Sequence, residues 1–195
     1  MMKDKNSILE EVKAFKPFNE QEEKDKITFI EFMNTFEDVL TRKNIFGHLT
    51  ASAFVVNEDL SKTLLVNHNI FGGFIYPGGH ADGETDLFRV AKREVEEETG
   101  LVAEPLINSK IFAIQTTPIK GHIKKGEYIS AHIHYDILYL LVAKNLDMEK
   151  IRILESENSA VKWVSLEESF TSEDNVDWIR PINEKIVTRV RSLKK

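Results

Sequence analysis

The chain contains no cysteine among its 195 residues. Disulfides, thiolate metal ligands and a cysteine nucleophile are therefore all excluded. Long apolar runs are absent as well: the longest, from Ile137 to Ala143, is far too short to span a bilayer. The opening residues, Met1-Met2-Lys3-Asp4-Lys5, lead into polar sequence without the apolar stretch of a signal peptide. The expectation is a soluble cytoplasmic protein with no membrane partner. Positive charge is in short supply too, since 26 Lys and Arg face 32 Asp and Glu, for a formal net charge of -6. General affinity for nucleic acid calls for concentrated positive charge, so no nucleic-acid partner is expected. A small phosphorylated substrate remains open, because a bound metal would supply positive charge locally. No internal repeat or low-complexity tract interrupts the chain. Its length most simply makes one globular domain with extensions, large enough to bury a core.

Negative charge is gathered at one place. Residues 78 to 101 join a glycine turn, Gly78-Gly79, to a helix whose last two turns are crowded with carboxylates. Residues three and four apart are helix neighbours, so Glu94, Glu97 and Glu98 project from one face within roughly 6 Å of each other. Like charges at this spacing cost about 0.2–0.5 kcal/mol per pair, and acids near a helix C-terminus oppose the macrodipole by about 0.3–1 kcal/mol each. Local stability would not choose this arrangement. A divalent ion held between the carboxylates offsets both penalties, and oxygen-only ligands point to Mg²⁺, with Mn²⁺ as a substitute, rather than to zinc.

This segment resembles the Nudix box, G-x5-E-x7-R-E-U-x-E-E-x-G-U with U aliphatic. Gly79 stands at the first glycine, Arg93-Glu94 at the Arg-Glu pair, Val95 at the aliphatic position, Glu97-Glu98 at the Glu-Glu pair and Gly100-Leu101 at the close. One position departs: the isolated glutamate of the pattern falls where Thr85 stands, and Glu84 comes one residue earlier. Thr85 is accordingly expected to cap the helix, with Glu84 near its positive end. The resemblance implies an α/β fold, a Nudix-type α/β/α sandwich with a mixed sheet. It also implies that Gly79 (through its carbonyl), Glu94, Glu97 and Glu98 hold the metal and that Arg93 orients Glu94. A further glutamate often comes from a loop before the last strand, where Glu155 and Glu157 both lie, Glu157 being preferred. It or one of the box glutamates would be the general base. Family members are often dimers, so a homodimer is an expectation as well. Isopentenyl diphosphate isomerases share the fold but use a catalytic cysteine, which this chain lacks.

Three parts are expected along the chain: an N-terminal helical extension at 1–45, a hydrolase domain at 46–175 and a C-terminal helix at 176–195. In the first, Asn19 and Glu22 form a capping box, and Ile27, Ile30, Met33 or Asn34, and Val39-Leu40 roughly follow a helical stripe that Phe29, Phe32 and Phe36 broaden. So apolar a helix must pack on its own domain, on a second copy or over the substrate cleft. From His48 the period becomes that of strands: His48 to Val56, Lys62 to Asn67, Phe74 to Pro77, Lys110 to Thr117, Ala131 to Ala143 and Val161 to Val164. A polar loop is expected from Pro118 to Tyr128. Helices are expected at Leu166 to Phe170 and at Asp177 to Lys195, the latter started around Arg180-Pro181.

Histidine is missing from both ends: all six lie between His48 and His134. In Ala131-His132-Ile133-His134-Tyr135-Asp136, strand alternation puts His132, His134 and Asp136 on one face. That face has three readings: a cleft wall contacting phosphate or base, a satisfied structural network, or a second metal site. His80, after the glycine pair, is expected near the phosphates. His122 with Lys120, Lys124 and Lys125 either meets an anionic substrate or is simply solvated. The whole points to a Mg²⁺-dependent hydrolase that cleaves a diphosphate linkage in a small molecule, a nucleoside diphosphate joined to another group. The alternative is a non-catalytic nucleotide-sensing module of the same fold, which the intact acidic cluster opposes.

Overall fold

The structure, a computed structural model, describes residues 4–124, 126–143 and 151–193. Lys125 of the basic loop, Lys194 and Lys195 of the C-terminal helix, and Met1, Met2 and Lys3 of the polar N-terminus lie outside the described residues. The elements run α1 Lys5–Ala14, α2 Glu20–Thr35, β1 Gly47–Val56, β2 Lys62–His68, β3 Gly73–Ile75, β4 Gly78–His80 and α3 Leu87–Thr99. They continue through β5 Glu104–Pro105, β6 Ala113–Ile119, β7 His122–Lys124, β8 Glu127–Ile129, β9 His132–Val142, β10 Asn158–Ser165, α4 Glu168–Thr171 and α5 Arg180–Ser192. The fold is α/β, as the sequence predicts. No helix among the described residues is long and apolar enough to cross a membrane.

The chain divides into two compact units. The first comprises Met1–Ala51, Gly79–Val90 and Ile111–Leu138. Asp4 caps α1 by accepting the Ser7 N–H at 2.8 Å, and Asn19 caps α2 by accepting the Glu22 N–H at 3.1 Å. The expected reciprocal bond is displaced by one residue, because the Glu22 carboxylate takes the Phe18 N–H at 2.7 Å. The stripe of α2 is aromatic: Phe32 stacks on Tyr135 of β9 with centroids 4.0 Å apart, and Phe29 meets the same ring edge-on at 5.2 Å. The helix thus buries its face on its own unit. Ile27, counted in the stripe from sequence, lies outside it at 58% exposure. Asp25 fastens the helix further by accepting both the N–H and the hydroxyl of Thr116 in β6. Strands β6 and β9 pair antiparallel with Gln115 opposite Asp136, Thr117 opposite His134 and Ile119 opposite His132. The segment expected as a loop from Pro118 to Tyr128 instead carries the hairpin of β7 and β8, whose turn holds Gly126 at a φ of 85°. A left-handed φ of that kind suits glycine, and the alternating residues on either side supply the strands.

The second unit comprises Ser52–Gly78, Ala91–Lys110 and Tyr139–Lys195. Here β2 lies between β10 and β1, with Leu64 opposite Trp163 and Val56 opposite Thr63, and β3 adds to it through Val66 and Ile75. The ladder of β10 slips between Asn158 and Val161. That irregularity turns the start of β10 away from regular pairing, next to Glu157. The C-terminal helix begins as a single tight turn, Asp177–Ile179, before α5 proper, with proline in its first turn as expected.

Candidate metal and catalytic centre

Helix α3 follows a tight turn through Asp82 and Gly83, both at positive φ. Its cap is Asp86, not the expected Thr85: the Asp86 carboxylate faces the Arg89 N–H at 3.4 Å, and its carbonyl accepts the first helical bond, from Val90, at 3.0 Å. Aspartate one residue on fits the cap role at least as well as threonine. From there Leu87, Val90, Ala91 and Val95 form a buried stripe at helical spacing. Glu98 continues that stripe and is only 1% exposed. A carboxylate has been placed where the pattern calls for an apolar residue.

One oxygen of Glu98 accepts the Gly78 N–H at 3.0 Å, and the other is buried with no hydrogen bond of ordinary length, although the Asn158 side chain is near enough to favour the charged form. Leaving a buried acceptor unmet costs about 1–3 kcal/mol, and more when it is charged. Gly78 permits this approach because it has no side chain: a Cβ there would meet Ser52 Oγ at 2.3 Å and Ser52 Cα at 2.8 Å. The loop before β10 brings a third carboxylate. The Glu157 carbonyl accepts the Asn69 N–H at 2.9 Å, its N–H reaches the Leu154 carbonyl at 2.8 Å, and the adjoining Asn158 amide donates to the Glu98 carbonyl at 3.2 Å. Glu94, Glu98 and Glu157 thereby each offer an oxygen within 4.8 Å of the others.

Burial pushes the Glu94 carboxyl up to about 7, with further repulsion from Glu97 and Glu157 against the pull of Arg93. Burial likewise raises Glu98 to about 8, opposed by the Gly78 N–H. Both shifts express negative charge crowded into a poorly solvated place. An oxygen-rich site of that kind fits a hard divalent cation such as Mg²⁺ or Mn²⁺, and the orphaned oxygen of Glu98 is the atom such an ion would satisfy. Arg93 stands 3.6 Å from Glu94 and 3.7 Å from Glu97. Glu97 is outside the three-carboxylate group, its side chain about half exposed. Gly79 lies in the middle of β4. Glu84 faces Arg89 at 3.7 Å.

The histidines separate differently from the expectation. Asp136 accepts hydrogen bonds from the Thr50 hydroxyl, at 2.9 Å, and from the Gln115 amide, so it belongs to a buried polar network. His134 instead meets His48 of β1 and His80 of β4, and these three offer ring nitrogens all within 4.8 Å of one another. His132 stands beside them, its Nε2 3.2 Å from that of His134. Burial lowers the His48 ring to about 4 and the His80 ring to about 3, and holds His134 well below its ordinary value. The rings are therefore neutral at physiological pH. His122 bonds the Lys120 carbonyl at 3.0 Å on the exposed side. His48 is not singled out by the sequence; its only signal is a polar residue alternating with Thr50 and Ser52 along β1.

The sequence model of the NUDIX domain matches residues 47–187. No curated protein matched the sequence. A NUDIX-family hydrolase from Clostridium perfringens superposes with a TM-score of 0.50 at 20% identity, covering 73% of this chain and 97% of that one. A C. elegans Ap4A hydrolase, solved as a binary complex, superposes with a TM-score of 0.50 at 19% identity, covering 74% of this chain and 98% of that one. Both likenesses are of fold.

Proposed function

The chain belongs to the Nudix family, whose domain spans residues 47–187, and from that premise we propose that its substrate is a nucleoside diphosphate joined to another group, cleaved with Mg²⁺. As a Nudix-type hydrolase it acts on phosphorus anhydrides. The observation that supports the metal part of this reading is the buried, unmet oxygen of Glu98 beside Glu94 and Glu157; the substrate class is carried by the family. Glu94, Glu97, Glu98 and the Gly79 carbonyl are the proposed metal-holding set, with the Glu157 carboxylate beside Glu94 and Glu98.

Bound there, Mg²⁺ would neutralise charge on the bridging and leaving oxygens and aim water at phosphorus. The chain's own residues do the rest. Arg93, between Glu94 and Glu97, restrains both side chains. The Gly78 N–H fixes the rotamer of Glu98. Glu157, the exposed member of the three, is the proposed general base: its carboxylate takes the proton as water attacks phosphorus, the P–O bond of the anhydride breaks, and two phosphorylated fragments leave.

The test is a product-resolved screen with Mg²⁺ or Mn²⁺ over nucleotide sugars, ADP-ribose, NADH, coenzyme A and nucleoside triphosphates. Dinucleoside polyphosphates join the panel because of the Ap4A hydrolase fold match. Wild type is compared with Glu98→Gln and Glu157→Gln. Cleavage of one class, with general-base loss of about 10²–10⁴-fold in Glu157→Gln, supports the reading. Tight, metal-independent binding of a nucleotide with no turnover would overturn it in favour of a sensing module.

A further inference from the structure

The carboxylates leave a second cluster unexplained. His48, His80 and His134 come from three different strands, β1, β4 and β9, and bring their ring nitrogens within 4.8 Å of one another. His48 lies at the centre: its ring stands 5.0 Å from that of His80, 5.0 Å from that of His132 and 4.9 Å from that of His134. His48 is 4% exposed, and neither ring nitrogen has a hydrogen bond of ordinary length, although the Asn44 backbone carbonyl is near enough to favour its N–H. A neutral imidazole carries one N–H and one lone pair, so the N–H has that carbonyl nearby while the lone pair has no donor. A network satisfied within the protein would give that lone pair a donor.

We propose that His48, His80 and His134 bind a divalent transition-metal ion of the zinc class, with His132 as the fourth nitrogen ligand. Imidazole suits Zn²⁺, Ni²⁺ and Cu²⁺, whereas Mg²⁺ prefers oxygen, so this site and the carboxylate site select different ions. The ligand geometry is close to that required. Zinc holds histidine nitrogen at about 2.0–2.1 Å, which places two nitrogens of a tetrahedral site about 3.3 Å apart; His132 Nε2 and His134 Nε2 are 3.2 Å apart. The remaining nitrogens, within 4.8 Å, close by small rotations about side-chain torsions. The tautomer of His132 is also set. Its Nδ1 lies 2.8 Å from the Ser130 carbonyl, which only accepts, so Nδ1 carries a proton and the Nε2 side faces the Nε2 of His134, with which it shares a hydrogen bond. An outer partner of that kind is what orients histidine toward a metal.

Phosphate contact, the other reading of this face, is favoured by positive charge, which burial withholds from His48, His80 and His134. Arg42 is near enough to oppose their protonation, but it is engaged by Asp82 through both Nε and Nη2, so its charge is largely compensated. The ion would pin β1, β4 and β9 together within the first unit and is independent of the hydrolase reaction.

The test uses the full chain, stripped with chelator and titrated with Co²⁺ in excess Mg²⁺, in wild type, Glu98→Gln, His80→Gln, His134→Gln and His122→Gln. The expected result is one equivalent of Co²⁺ with the visible bands of tetrahedral nitrogen coordination, displaced by Zn²⁺. It persists in Glu98→Gln and His122→Gln and binds at least about 100-fold more weakly in His80→Gln and His134→Gln, since even an outer-shell loss costs roughly 10–100-fold. Should either histidine variant fail to fold by circular dichroism, ¹⁵N spectra of wild-type histidines carry the test, with Zn²⁺ shifting the ring nitrogens of the clustered histidines and leaving His122 unmoved. No Co²⁺ equivalent in wild type, an equivalent that survives both histidine substitutions or is lost in Glu98→Gln, or unmoved ring nitrogens would overturn the proposal.

Discussion

At the scale of single residues, Glu98 and Gly78 form one device. Glu98 occupies an apolar position of α3 and takes the Gly78 N–H, and only glycine fits at position 78 because Ser52 leaves no room for a Cβ. In Glu98→Gln the side chain keeps its shape but loses its charge. Mg²⁺ affinity is expected to fall at least about 100-fold, given that even outer-shell partners are worth roughly 10–100-fold; calorimetric titration reads it directly. Metal-free Glu98→Gln should gain stability over wild type as pH rises from 5 to 9, because burial, which raises the wild-type carboxyl to about 8, penalises only its charged form. An equal gain at every pH would show that charge is not the issue. Gly78→Ala is expected to cost about 1–3 kcal/mol by urea unfolding, the ordinary penalty of overpacking. Ser52→Ala should not rescue it, because Ser52 Cβ and Cα would still stand 2.7 and 2.8 Å from the new methyl.

At the scale of elements, the carboxylate helix could be read from sequence because everything needed lies within residues 78–101: a glycine turn, a 3.6-residue stripe and acids three and four apart. Its start lies one residue later than the expected Thr85, since Thr85 and Asp86 are both good caps and only the backbone path chooses between them. Asp86→Ala is expected to destabilise the fold by about 0.5–2 kcal/mol, with Thr85→Ala leaving the cap in place; thermal unfolding of both variants decides. Strand β4 lies where Gly78-Gly79 reads as a turn and the two-residue β5 leaves no pattern, whereas strands β1, β2, β3, β6, β9 and β10 announced themselves by β-forming residues and by Gly or Asn turns. The β7 and β8 hairpin did not, because its strands are three residues each and mostly polar, a pattern that also suits a loop. The meeting of His48, His80 and His134 was not legible either. Sequence shows His132-x-His134 as neighbours on one face, but His48 and His80 reach them only through the pairing of remote strands. The same holds for Glu157, which stands beside Glu155 in sequence and is distinguished by its carboxylate meeting those of Glu94 and Glu98.

At the scale of the whole molecule, the two clusters pull stability in opposite directions with pH. Glu94 and Glu98 are raised from 4.5 to about 7 and about 8. The folded state therefore holds the more protons, and their contribution is full below about pH 4.5 and is lost as pH rises through 7 and 8. His48 and His80 are lowered from 6.5 to about 4 and about 3, and His134 is lowered with them. There the unfolded state holds the more protons, so their contribution is present above 6.5 and is lost as pH falls toward 4 and 3. Between 4.5 and 6.5 three histidines outweigh two carboxylates and stability climbs; above 6.5 only the carboxylates still titrate and it falls. Chelator-treated protein should consequently show its highest unfolding temperature near pH 6.5. Excess Mg²⁺ should remove much of the alkaline fall, because a metal takes its carboxylate ligands in the ionised form. A metal-free unfolding temperature that keeps rising through pH 8 would mean that Glu94 and Glu98 are already ionised at no cost, which their burial on α3 does not allow.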